Sequence, residues 1–197
     1  MAERLKAHAW KACVPKGTAG SNPALSARYI FMSFYVIIRG PLGCGKSTIA
    51  QKLSKILKAR YFSVDRALDE HDLTEELEQG YVSQKSFIRA NEIISPEARR
   101  ILDSGKPVVF DGNFYWKSQV DDLIGRLDFP YHVFTLKAPL GVCIERDRQR
   151  GKTHGEDAVR AVYKKSTGFD YGIAIDINRP LEECVEDILS YLPRRVL

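Results

Sequence analysis

FYVIIRGPLGCGKSTIA, residues 34–50, decides how this chain is read. An apolar, β-prone run (Phe34, Tyr35, Val36, Ile37, Ile38) enters a glycine-rich segment with the spacing G-x-x-x-x-G-K-S from Gly40 to Ser47, and a helical pattern (Ile49, Ala50, Leu53, Ile56, Leu57) leaves it. Strand, loop and helix in that order distinguish a phosphate-binding P-loop from a chance glycine-rich turn. Gly40, Gly43 and Gly45 let backbone N–H groups turn inward, and the following helix aims its positive end at the same point, so the loop is built for phosphate. Lys46 is expected to reach β- and γ-phosphates, and the Ser47 hydroxyl to ligate Mg²⁺. Cys44 and Thr48 complete the expected nucleotide-binding set, Cys44 as a spacer whose side chain the motif leaves unconstrained.

With 197 residues and an ordinary apolar share, the chain suits one globular domain with a core large enough to fold alone. No apolar run approaches the roughly 20 residues that cross a bilayer. The cysteines (Cys13, Cys44, Cys143, Cys184) lack C-x-x-C spacing and a histidine cluster, which fits a reducing, cytoplasmic compartment and offers no thiolate metal site. The formal charge is +5, from 30 basic and 25 acidic side chains. Residues 1–31 hold five of the basic ones (Arg4, Lys6, Lys11, Lys16, Arg28) and one acidic (Glu3), leaving 25 and 24 for the rest. A domain so near neutrality is not expected to bind extended nucleic acid.

Past the P-loop helix, Tyr61-Phe62-Ser63-Val64 reads as a second strand ending on Asp65. Ligands gather at the carboxyl ends of strands in a doubly wound sheet, so Asp65 is expected to accept or orient the proton of an attacking hydroxyl, with helix capping as the structural alternative. Arg66 beside it is available to an anionic acceptor. Asp69–Glu78 (DEHDLTEELE) has Leu68, Leu73 and Leu77 spaced for one face of a solvated helix. Helical sequence from Ser83 to Ser104 is expected to break at Ser95-Pro96, with Gly105 as its stop.

Val108-Val109-Phe110-Asp111 reads as a buried parallel strand, and Asp111 is the expected Mg²⁺ carboxylate. Gly112-Asn113 is a turn signal that lets the loop approach a ligand. Tyr115 and Trp116 either stack on an acceptor or pack the loop. A helix from Trp116 to Leu127, a strand Tyr131–Leu136 and a helix bearing Arg146, Arg148 and Arg150 follow. Arg146 and Arg150, four residues apart, share a face and are expected to grip phosphate, with Gly151–Gly155 as a closing lid. A helix over Glu156–Lys165, a last strand over Gly172–Asp176 and a helix from Pro180 to Leu192 complete a doubly wound α/β domain: five parallel strands, helices on both faces. Without an N-K-x-D segment the guanine signature is missing, and ATP is the expected donor.

These residues resemble the small P-loop kinases that phosphorylate hydroxyls: adenylate, shikimate and gluconate kinases and the kinase domain of polynucleotide 5′-kinases. ERDRQRG at 145–151, followed by AVRAVYKK at 158–165, looks most like the lid and next helix of the polynucleotide kinase group with its zeta-toxin-like and antibiotic-phosphotransferase relatives. The resemblance implies an ATP-dependent phosphotransferase with Lys46 and Ser47 at the phosphates and metal, Asp65 as general base and Arg150 as lid arginine. The arginine that the polynucleotide group carries three residues after its base is Leu68 here. The expected function is therefore phosphoryl transfer from MgATP to a hydroxyl of a small metabolite or nucleotide. A polynucleotide 5′-hydroxyl kinase and a non-catalytic ATP-binding regulatory module are the alternatives. The sequence does not specify an oligomeric state.

Residues 1–31 show neither strand alternation nor a sustained core stripe, and are expected to lie outside the fold of residues 32–197. Three readings fit: a disordered tail, an acid-poor targeting peptide, or codons upstream of a start at Met32. We adopt the third, because Gly20-Ser21-Asn22-Pro23 can be encoded by GGTTCGAATCC, which resembles the T-arm of transfer-RNA genes. Mass spectrometry of the native protein is expected to find no peptide from residues 1–31; finding one overturns the reading.

Overall fold

The computed structural model describes residues 33–150 and 154–193. The expectations for residues 1–31 and for the Gly151-Lys152-Thr153 part of the lid lie outside them. The elements run β1 (Tyr35–Arg39), α1 (Lys46–Leu57), β2 (Arg60–Ser63), α2 (Val64–Glu70), β3 (Leu77–Glu78), β4 (Tyr81–Val82), α3 (Gln84–Asp103), β5 (Val108–Gly112), α4 (Lys117–Leu127), β6 (Tyr131–Lys137), α5 (Leu140–Gln149), α6 (Glu156–Ser166), β7 (Ile173–Asp176) and α7 (Leu181–Ser190). Five parallel strands form one sheet in the order β2-β5-β1-β6-β7.

β1 is central, and every residue in it is buried. A strand covered on both faces must be apolar on both, which is why its sequence runs unbroken instead of alternating. Tyr35 and Ile37 face one layer with Phe110, Phe87, Leu102 and Leu123, while Val36 and Ile38 face the other with Phe134, Leu53, Val185 and Ile188. Helices α2, α3 and α4 cover the first face, and α1, α5 and α7 the second. The expected single doubly wound α/β domain is the architecture found.

Three local expectations fail. β2 stops at Ser63 because the Ser63 hydroxyl accepts the Arg66 N–H (3.4 Å) and caps α2, so Asp65 sits in the first turn of a helix and not at a strand end. The expected helix over Asp69–Glu78 ends at Glu70. Asp72, Gln79 and Gly80 take positive φ, and β3 pairs antiparallel with β4 around the two-residue turn Gln79-Gly80. Two consecutive left-handed residues match the twist of a tight hairpin and cannot continue a helix. α3 runs unbroken through Pro96, with the Ser95 hydroxyl donating to Asn91 O at 2.6 Å one turn back.

The last residue of β1 is a buried arginine. Arg39 donates to Phe114 O (3.3 Å), Thr135 Oγ1 (3.0 Å), Phe169 O (3.3 Å) and Ser166 O (2.8 Å), and its guanidinium lies 4.1 Å over the Phe169 ring. One side chain thereby joins β1 to the loop after β5, to β6 and to the end of α6. Desolvation lowers its pKa to about 10, so it remains charged near neutrality. Removing it orphans several buried acceptors, so Arg39→Ala is expected to cost about 3 kcal/mol in urea unfolding. Arg39→Lys should recover little of that, because an ammonium cannot span the same acceptors; wild-type stability in Arg39→Lys would contradict this account.

Candidate functional site

The P-loop leaves β1 at Gly40 and wraps toward α1. Gly40, Gly43 and Gly45 all take positive φ. A Cβ on Gly43 would fall 2.1 Å from Cys143 O, so the back of the loop lies directly on the α5 backbone. A Cβ on Gly40 would fall 2.9 Å from Cys44 Sγ. Cys44 is therefore more than a spacer: its buried thiol packs into the core beneath the loop, and burial raises its pKa.

Docking α5 on Gly43 brings the arginines to the phosphate loop. Arg146 Nη1 is 4.0 Å from the position a Gly45 Cβ would occupy, and Arg146 also donates to Ile177 O at 3.4 Å. Arg150 caps α5 instead of lying within it, its N–H donating to Asp147 O at 3.2 Å. The positive charges of Lys46, Arg150 and Arg146 all act on the Cys44 thiol, opposing the effect of burial. Arg148 turns away to pair with Glu145 at 3.3 Å.

Lys46 is buried, and its ammonium donates to Pro41 O (2.9 Å) and Asn113 Oδ1 (3.0 Å). Ser47 Oγ donates to Asp111 Oδ2 at 2.6 Å, and the Tyr61 hydroxyl donates to Asp111 Oδ1 at 2.6 Å. Burial and the Asp111 carboxylate push the Tyr61 phenol up to about 12. Asp65 accepts from the Asn113 N–H at 3.1 Å through Oδ1. Two bonded sets, Lys46–Asn113–Asp65 and Ser47–Asp111–Tyr61, thus lie along the carboxyl edges of β1, β5 and β2. Thr48 lies exposed in the first turn of α1.

Asp111 is a buried carboxylate with two hydroxyl partners, and Ser47 supplies oxygen beside it. That hard oxygen set fits Mg²⁺. Among the described residues no cluster of three or more His, Cys, Asp or Glu could hold a metal, so such an ion would draw its other ligands from phosphate and water. Asp65 differs. Burial raises its pKa from 3.8 to about 6, against the lowering effects of Lys46 and the Asn113 N–H, and the Asp111 and Asp69 charges push the same way as burial. A carboxyl poised near neutrality can take up and release a proton where a salt-bridged one cannot.

Sequence reading missed three contributors. Asn113 was expected to turn the chain and let the loop approach a ligand but not to bond site residues, Tyr61 only to fill a strand, and Arg39 had no role, although a charged residue ending an apolar strand was a visible signal. Arg66 pairs with Glu70 at 2.6 Å. Tyr115 and Trp116 are buried and pack the loop, their OH and Nε1 donating to Val82 O at 3.4 and 2.9 Å. The β3–β4 hairpin meets α6 through Tyr81 OH to Ala161 O (3.2 Å) and Lys165 Nζ to Gln79 Oε1 (2.8 Å). The Lys165 ammonium also sits 3.6 Å over the Trp116 ring and 5.2 Å from the Tyr81 ring centre.

The family model of the AAA domain matches residues 36–168, from β1 past the end of α6. The chain belongs to this AAA-domain family. The chain is 24% identical over 174 residues to shikimate kinase of Flavobacterium johnsoniae, covering 80% of this chain and 98% of that one. It is 28% identical over 135 residues to L-seryl-tRNA(Sec) kinase of Methanococcus maripaludis, covering 66% of this chain and about half (51%) of that relative. Its fold matches a gluconokinase from Sinorhizobium meliloti with a TM-score of 0.64 at 18% identity, over 82% of this chain and 91% of the other. Among the described residues no helix is long and apolar enough to cross a membrane.

Because Asp65 holds a proton up to about pH 6 when folded but only to 3.8 when unfolded, folding favours its neutral form. The associated stability is complete below about pH 4 and is lost as pH rises through about 6. Asp65→Asn is therefore expected to stabilise the nucleotide-free protein at pH 7–8 by about 1 kcal/mol, allowing for its partial exposure, and to gain less toward pH 4. Thermal unfolding across that range checks it; equal Tm values at pH 8 would count against a desolvated carboxylate.

Proposed function

We propose that this domain is an ATP-dependent kinase that transfers the γ-phosphoryl group of MgATP to a hydroxyl of a small metabolite or nucleotide. The observation that carries the reading is two bonded sets side by side, the P-loop lysine with Asn113 and a proton-holding Asp65, and the Ser47–Asp111 oxygen pair, both on one edge of the sheet. The relatives named as kinases support phosphoryl transfer.

The inward-turned loop and Lys46 hold the phosphates, and Ser47 with Asp111 holds the Mg²⁺ that offsets their charge. Asp65 accepts the proton of the acceptor hydroxyl as its oxygen bonds to the γ-phosphorus. The bond from that phosphorus to the bridging oxygen breaks, and ADP leaves with the electron pair. Arg146, beside Gly45, and Arg150, whose charge acts on Cys44 of the loop, compensate negative charge on the moving phosphoryl group. A small acceptor is favoured because the hairpin segment carries Glu75, Glu76 and Glu78, which oppose a long phosphate backbone.

ADP release by the full-length protein, screened over metabolites, nucleosides, nucleotides and a 5′-hydroxyl oligonucleotide, tests the reading. Turnover is expected with a small hydroxyl compound, with kcat/KM rising to a plateau above an acid limb near pH 6. Asp65→Asn should lower kcat by about 10³-fold while leaving ATP binding intact. Turnover with the oligonucleotide alone would move the acceptor to nucleic acid. Tight ATP binding without consumption for any acceptor would identify a regulatory module and sink the kinase.

A further inference from the structure

Tyr61 reaches the site from the edge of the sheet. β2 pairs with β5 so that Tyr61 stands opposite Val109, and Ser63 opposite Asp111. Side chains alternate along a strand, so Tyr61, Val109 and Asp111 share the face that α1 covers, while Phe62 and Phe110 stack on the other with ring centres 5.5 Å apart. A side chain at 61 must therefore reach diagonally to meet Asp111, and tyrosine is long enough. Its hydroxyl donates to Asp111 Oδ1 at 2.6 Å. Ser47, in the first turn of α1, donates to the other oxygen, Oδ2, at 2.6 Å.

Packing alone does not call for that hydroxyl. The Tyr61 ring is partly buried against the core of its face, a task that phenylalanine performs equally well, as Phe62 does on the opposite face. The phenol is also fixed as a donor. Burial and the Asp111 carboxylate push it up to about 12, so it keeps its proton near neutrality, and an ionised carboxylate offers only acceptors.

A carboxylate anchored through one oxygen is free to turn about its Cβ–Cγ bond. Anchored through both, it keeps Oδ2 beside the P-loop serine. We infer that Tyr61 is a positioning residue for the metal: its hydroxyl, on the oxygen that Ser47 does not use, locks Asp111 in the orientation in which Asp111 and Ser47 together receive Mg²⁺. The Tyr61 bond need not break when nucleotide and metal arrive, because each carboxylate oxygen has a second lone pair. This inference rests on the reading in which Ser47 and Asp111 hold Mg²⁺, and it concerns the metal step rather than the acceptor.

Calorimetry on the full-length protein separates the two. ADP is titrated first with EDTA present; Mg²⁺ is then titrated into protein held in excess over ADP. Wild-type protein is expected to bind ADP and then Mg²⁺, and Asp111→Asn to weaken the Mg²⁺ step by about 10-fold or more. No Mg²⁺ binding in the wild type, or an unchanged Mg²⁺ step in Asp111→Asn, overturns the metal reading and the inference with it. Given those results, Tyr61→Phe is expected to raise the Kd for Mg²⁺ by about 10-fold while ADP affinity in EDTA stays within about twofold. In an Asp111→Asn background Tyr61→Phe should have no further effect, whereas a merely structural defect would add to it. An unchanged or tightened Mg²⁺ step in Tyr61→Phe, an equal loss of ADP affinity in EDTA, or additive losses in the double variant would overturn the inference alone. A thermal unfolding curve for each variant gives the fraction folded at the assay temperature, so that only folded protein is counted.

Discussion

The Arg39 guanidinium lies out of water at the end of the central strand, where a charge is costly unless its donors are engaged. Its acceptors belong to the loop after β5, to β6, to the last turn of α6 and to the connection toward β7. Satisfying one cation therefore requires four segments of chain to meet at the point where the P-loop begins. That requirement supports the unfavourable backbone of Phe114 and sets the loop that carries Asn113. The carboxyl edge of the sheet is thus held from behind by Arg39.

In front of that support, two carboxylates experience different surroundings. Asp111 is buried with hydroxyl donors on both oxygens, an arrangement that holds its carboxylate in one orientation. Asp65 has one backbone N–H and a desolvated position, so its proton affinity rises toward neutrality. Lys46 and the Asn113 N–H pull the other way, and desolvation outweighs them.

The sheet and the phosphate loop were legible because their signals are local. An apolar run before G-x-x-x-x-G-K-S can be read without knowing what lies beside it, and so can Val108–Asp111. The segment after Asp65 was misread because leucines at 68, 73 and 77 satisfy a helical period, while positive φ at Asp72, Gln79 and Gly80 redirects the chain. Asp65 itself was singled out for a reason that proved false. Ser63 ends the strand, and the carboxylate reaches the site from a helical turn. Tyr61 and Asn113 were invisible as site residues, since their partners are distant in sequence and only the β2-β5-β1 order brings them together.

The hairpin and α6 are joined by Tyr81 with the Ala161 carbonyl and by Lys165 with Gln79 and the Trp116 ring. None of these groups belongs to the phosphate-holding set. The clasp between the hairpin and α6 is therefore built from side chains other than those that bond Lys46, Ser47, Asp111 and Asp65. A substitution at Gln79, Tyr81 or Lys165 can alter that clasp without breaking a bond of the strand-end cluster.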